Sequence, residues 1–124
     1  MHSVLRGDPA AVTPVVFHKA YDEILNRTKE AFESCQILLI DPFYISNDRA
    51  SQSFRNDVLT ILQEYVSIVH ALSEKYQTRL VKTHDLFQRL IRFHEPDTFC
   101  PEPVHPNLTG HLAIAEAVYA ALSQ

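Results

Sequence analysis

Gln36-Ile37-Leu38-Leu39-Ile40-Asp41-Pro42-Phe43-Tyr44 sets the class of structure. Its first five residues are rich in strand-forming apolar side chains, and Asp41-Pro42 stops the run abruptly, as expected for a parallel-sheet strand buried on both faces. Upstream, Thr13-Pro14 has the form of a helix N-cap followed by proline at the first helical position. Phe17, Tyr21, Ile24, Leu25, Thr28 and Phe32 then recur at helical spacing, which predicts a helix over 14–34. Downstream, Val58, Ile61, Leu62, Tyr65, Val69, Leu72 and Tyr76 keep a 3.6-residue period, predicting a long amphipathic helix from Phe54 to about Tyr76. Thr78 to Thr83 is the next strand candidate, and strand, helix, strand in this order predicts a βαβ unit.

Farther on, Asp85 to Gln88 has capping-box spacing, and Leu86, Phe87, Leu90 and Ile91 give a short helix one packed face. Phe93 to Pro106 carries Pro96, Pro101, Pro103 and Pro106, which deny it a helix interior or a regular ladder. Asn107 is placed to cap a final helix, with Leu108, Leu112, Ala115, Val118 or Tyr119, and Leu122 as its buried stripe. The 124 residues hold 2 glycines and no repeat, so a single domain over 1–124 with an irregular segment at 1–13 is the economical reading. Two strands with several helices make an incomplete sheet. The Ile37–Ile40 strand is left with an open apolar edge, which predicts an absent partner strand.

The formal charge of -4 argues against nucleic acid and anionic membranes as partners. No apolar run approaches the ~20 residues of a membrane span, and no secretory leader is visible at the N-terminus. Cys35 and Cys100 lack the density of a disulfide scaffold and are read as reduced thiols of a cytoplasmic protein.

Function gathers at the carboxyl ends of strands in open α/β sheets. Glu102-Pro103-Val104-His105-Pro106-Asn107-Leu108-Thr109-Gly110-His111 places a carboxylate three residues before a histidine, just ahead of a helix. In an extended turn at that spacing, an acid can orient an imidazole that serves as general base. Here the sequence resembles the C-terminal half of the SGNH (GDSL-type) hydrolases. Their last motif is Asp-x-x-His, commonly followed by Pro-Asn and a Gly-His opening the final helix. The likeness extends back to about Phe17, through a strand ending in Asp-Pro-Phe, a helix with Ala-Leu-Ser-Glu-Lys-Tyr near its end, and a strand leading into Asp-Leu-Phe.

The resemblance implies a partial flavodoxin-like three-layer α/β/α fold comprising the last two parallel strands and their flanking helices, with the first three strands absent. It implies a catalytic pair, His105 activating a serine and Glu102 supporting His105. Two positions depart from the family: Glu102 stands for aspartate, and Pro103 stands where a small residue, often glycine, is usual. The Gly-Asp-Ser, oxyanion-glycine and Gly-x-Asn-Asp motifs are not in this sequence; Gly7-Asp8-Pro9 and Ser46-Asn47-Asp48 match them only in spelling. The expectation is therefore the C-terminal portion of a serine ester hydrolase, inactive alone, requiring no metal or cofactor, and taking an ester substrate only when completed by an N-terminal half. The alternative is a non-catalytic interaction module that self-associates through its open strand edge. Were the chain alone active, Ser46 is the first serine to test, because its loop follows a strand's carboxyl end. His84 is read as a loop residue and Asp85 as a cap; Phe43 and Tyr44 either line an acyl pocket or complete the core. Cys100, His105 and His111 do not make a zinc site by spacing, since no second cysteine pair accompanies them.

Overall fold

The computed structural model describes residues 1–124. Its elements are α1 (His2–Leu5), α2 (Pro14–Ala31), β1 (Leu38–Ile40), α3 (Phe54–Tyr76), β2 (Arg79–Val81), α4 (Thr83–Leu90), a 3-10 turn at Pro96–Thr98, and α5 (Leu108–Leu122). The two strands pair in parallel, Leu38 opposite Arg79, Leu39 opposite Leu80 and Ile40 opposite Val81, as the βαβ pattern requires. Backbone bonds from Arg79 N–H to Ile37 C=O (2.9 Å) and from Asp41 N–H to Val81 C=O (3.1 Å) extend the ladder at both ends.

The helix starts follow from local chemistry where a local cap exists. Thr13 Oγ1 accepts from Val16 N–H at 3.3 Å, with Pro14 at the first helical position. Asn107 Oδ1 accepts from Gly110 N–H at 3.0 Å and opens α5 where expected. α4 differs: it begins at Thr83, so His84 lies inside a helix and is buried, and Asp85 occupies the first turn rather than the cap. The cap comes from another element. Asp41, at the carboxyl end of β1, turns Oδ1 to the His84 backbone N–H at 3.0 Å and satisfies one of the orphan donors of the α4 first turn. The segment 1–13, expected to be irregular, contains α1; Met1 packs on the cluster of Tyr44, Val58, Leu59, Leu62 and Val66. α2 stops at Ala31 rather than at position 34, where Phe32 is solvent-exposed and no packing holds another turn.

Three layers result. Leu39 and Leu80 pack with Leu25 of α2 and Val69 and Leu72 of α3 on one face of the sheet. Alternation sends Arg79 and Val81 to the other face, where Arg79 reaches the end of α5. Its Nη1 donates to Ala121 C=O (3.0 Å) and Leu122 C=O (2.6 Å), and Nη2 to Gln124 C=O (3.0 Å), filling acceptors that a helix C-terminus leaves open. Beyond the strands' carboxyl ends, Ile45, Phe87, Ile91, Phe99 and Cys100 form a further core cluster, joined by Ala113 and Ile114 of α5.

Two expectations about burial need correction. β1 is covered on one face only: Leu39 is 5% exposed, but Ile40 is 42% exposed because no third strand or helix covers it. Most of the α5 stripe expected inside lies outside, with Leu108 86%, Leu112 67% and Tyr119 75% exposed, while Val118 is half-buried. Small residues, Ala113, Ala117 and Ala121, face β2 and α4 instead, where they line a groove with Val81, Leu86 and Leu90. Helical periodicity finds an apolar face but does not say which neighbour covers it. No helix is long and apolar enough to cross a membrane.

Candidate active site

Glu102 and His105 are brought together by the turn that separates them. The two residues form an isolated antiparallel bridge. The Glu102 carboxylate folds back over it, Oε2 accepting from Val104 N–H at 3.0 Å and Oε1 from His105 N–H at 2.8 Å. Oε1 also contacts His105 Nδ1. One carboxylate thus meets two backbone donors and the ring. The N–H of Val104, with further help from His105, holds the Glu102 carboxyl below the usual carboxylate range. Because Nδ1 faces the acid, Nε2 points away from it, and the ring is largely in solvent, its side chain 83% exposed.

Pro103 is buried beneath the turn and its C=O accepts from Ile45 N–H at 2.9 Å, tying the turn to the loop after β1. On the other side, Asn107 N–H donates to Phe99 C=O (2.8 Å) and Asn107 Nδ2 to Thr98 C=O (3.1 Å). Gly110 is required at the next step: a Cβ there would stand 2.4 Å from Phe99 O and 2.7 Å from Pro106 Cβ. The Pro-Asn-x-x-Gly sequence thus presses the first turn of α5 directly against the loop that carries His105.

Around this turn, Phe43, Tyr44 and Val104 line an open cleft of about 480 Å³ with Met1, His2, Ser3, Arg6 and Asp8. Phe43 and Tyr44 complete the core as the second of the two readings has it, Tyr44 buried in one cluster and Phe43 packed on Phe87. Ser46 is 2% exposed, with Oγ accepting from Asp48 N–H at 3.2 Å, so its hydroxyl shapes the loop and is not open to substrate. Gly7, at φ 70, ends α1, and Asp8 accepts from Ala10 N–H at 2.8 Å, an ordinary turn. No group of three or more His, Cys, Asp or Glu side chains is placed to hold a metal ion.

Sequence reasoning missed a buried cluster below the turn. Asp41, with its side chain fully buried, accepts from His84 N–H and pairs through Oδ2 with His70 Nε2 at 2.7 Å. Burial pushes the His84 imidazole down, and its Nδ1 accepts from Tyr44 N–H at 3.4 Å. The only local signal was an aspartate closing an apolar strand.

Solved structures share this fold. LAE5, an alpha/beta hydrolase enzyme from the metagenome of Lake Arreo, is 26% identical and superposes with a TM-score of 0.76 over 90% of this chain and 48% of its own. A protein described as a GDSL-like lipase, from Parabacteroides merdae, gives 22% identity and a TM-score of 0.82 over 97% of this chain and 53% of its own. The chain has the fold of the C-terminal half of an SGNH (GDSL-type) hydrolase. Axe2, an acetylxylan esterase from Geobacillus stearothermophilus, shares that half with a TM-score of 0.77 at 21% identity, over 91% of this chain and 48% of its own. Among curated proteins, an acetylxylan esterase of the same organism is 26% identical over 81 residues, 65% of this chain and 35% of the relative. The chain thus spans about a third of the curated relative and about half of each of these solved structures. No family model matches it.

Proposed function

We propose that this chain is the C-terminal portion of a serine ester hydrolase of the SGNH type, with His105 as its general base and Glu102 as the acid that orients His105. The reading rests on one observation above all: Glu102 Oε1 meets His105 Nδ1 within a turn whose backbone donors also hold the carboxylate, leaving Nε2 outward. In the reaction, a serine outside these residues attacks the ester carbonyl. Its proton passes to His105 Nε2, and backbone donors outside this chain hold the oxyanion. His105 then returns the proton to the leaving alcohol, and a water repeats the sequence to release the acid. Glu102 fixes the tautomer and stabilises the imidazolium. An acylated carbohydrate is the substrate class suggested by the acetylxylan esterases among the relatives.

The test joins residues 1–124 behind the part of LAE5 that the chain does not cover, which is to supply the missing serine. Hydrolysis of a short-chain aryl ester is expected, falling by about 10²- to 10⁴-fold in His105→Ala. Equal turnover by the alanine variant would end the assignment.

A second reading has its own observation. The outward stripe Leu108, Leu112, Tyr119 and Leu122, with Ile40 on the unpaired strand, is an apolar face of the kind that marks interaction sites, so the chain alone self-associates through it.

A further inference from the structure

We propose that His84 and Gln88 of α4 are the positioning residues of the Glu102–His105 turn, acting through the Tyr44–Ser46 segment that both of them hold. The inference rests on reading His105 as the base, and it adds which residues place it.

The two side chains lie one helical turn apart on α4 and both bond Tyr44, with Gln88 bonding Ser46 as well. His84 is 3% exposed, anchored through its own N–H to Asp41 Oδ1 at 3.0 Å, and its Nδ1 accepts from Tyr44 N–H at 3.4 Å. Gln88 Nε2 donates to Tyr44 C=O at 3.3 Å and to Ser46 C=O at 3.2 Å, while its Oε1 accepts from Arg49 at 3.0 Å. Tyr44 C=O belongs to the same peptide group as Ile45 N–H, so the Gln88 bond to it orients that N–H, and Ile45, itself 1% exposed, points it at Pro103 C=O at 2.9 Å. Pro103 lies between Glu102 and Val104, so this bond sets the level of the whole turn. Cys100 seals the same segment from below, its thiol 3.9 Å from Ile45 C=O and 3.4 Å from Pro96 C=O. The proximity is also electrostatic: burial first, and the negative charge of Glu102 in addition, push up both the Tyr44 hydroxyl and the Cys100 thiol.

A chain of this kind matters because a general base displaced by about 1 Å forfeits orders of magnitude in rate. The α5 side of the turn is held by Asn107 and the close Gly110 contact, and the Ile45–Pro103 bond is what ties its other side to the loop after β1.

Carbon-13 NMR titration of the carboxyl groups in the full chain tests the proposal without an active enzyme. Glu102 should titrate below an ordinary glutamate in the wild type, because Val104 and His105 N–H are aimed at it. In Gln88→Met and His84→Leu its midpoint should rise toward the ordinary value. Asp22, held low by Lys75 and Tyr76 at the α2–α3 contact, should stay in place and report an intact fold. His84→Asn, whose Oδ1 can stand where Nδ1 accepts, should restore the Glu102 midpoint. An unmoved Glu102 beside an unmoved Asp22 overturns the proposal. So does a Gln88→Met chain in which both midpoints move together, for the α4 residues would then support the fold at large. In the LAE5 fusion, Gln88→Met should lower kcat about ten- to a hundredfold with KM little changed. A shifted Glu102 midpoint with unaltered kcat would retain the positioning and instead overturn the catalytic reading of His105.

Discussion

Gly110 and His84 carry the sharpest consequences of single atoms. A methyl group at Gly110 has nowhere to go, because Phe99 C=O and Pro106 are backbone-anchored neighbours at 2.4 and 2.7 Å. Gly110→Ala should cost about 1–3 kcal/mol in urea unfolding, with the loss accompanied by displacement of the 99–107 loop. His84 gives a pH signature. Its folded-state pKa lies below the ordinary value of 6.5 because burial disfavours the imidazolium, so between those two values the unfolded chain binds the extra proton. Stability from this residue is intact above pH 6.5 and lost as pH falls through the folded value. Urea midpoints at pH 7.5 and about 5.5 should therefore fall more steeply in the wild type than in His84→Asn; parallel curves would refute it. Glu102 follows the same sign at lower pH. Its depressed carboxyl contributes above the ordinary 4.5 and is lost as pH drops through its own midpoint, a slope that Glu102→Gln removes.

At the level of elements, two helix starts were readable from a local side-chain cap. Thr13 and Asn107 cap from the adjacent residue, and both starts appear in the sequence. The start of α4 was misplaced because its donor is met by Asp41, 43 residues away in sequence, and no pattern within α4 announces it. The C-terminus of α5 is likewise finished from a distance, by the Arg79 guanidinium. Arg79→Ala should remove about 1–2 kcal/mol, discounted for the solvent exposure of the outer bonds. Amide exchange should speed up in the last turn of α5 while the α2–α3 contact keeps its protection; uniform loss of protection would show that the clamp is a global rather than a local fastener.

The whole molecule is a layered half-sheet with an apolar side left bare. Charges placed on that side should be tolerated by the fold, since Leu112 and Tyr119 are mostly in water already. Leu112→Lys with Tyr119→Lys is expected to change unfolding free energy by about 0.5 kcal/mol or less, while converting an associating chain into a monomer by sedimentation velocity. A wild-type chain that is monomeric at high concentration would remove the self-association reading. The order of elements from α2 onward, the parallel pairing of 38–40 with 79–81, the α3 limits and the Glu102-x-x-His105 turn were legible in the sequence, because period, caps and motif spacing are local properties. Which face of α5 meets the sheet, how α4 is capped, and how Pro103 is moored through Ile45 depend on groups tens of residues apart. Only tertiary packing decides such matters, because an apolar stripe or an unpaired carbonyl specifies that a partner is needed and leaves its identity to whatever the folded chain brings within reach.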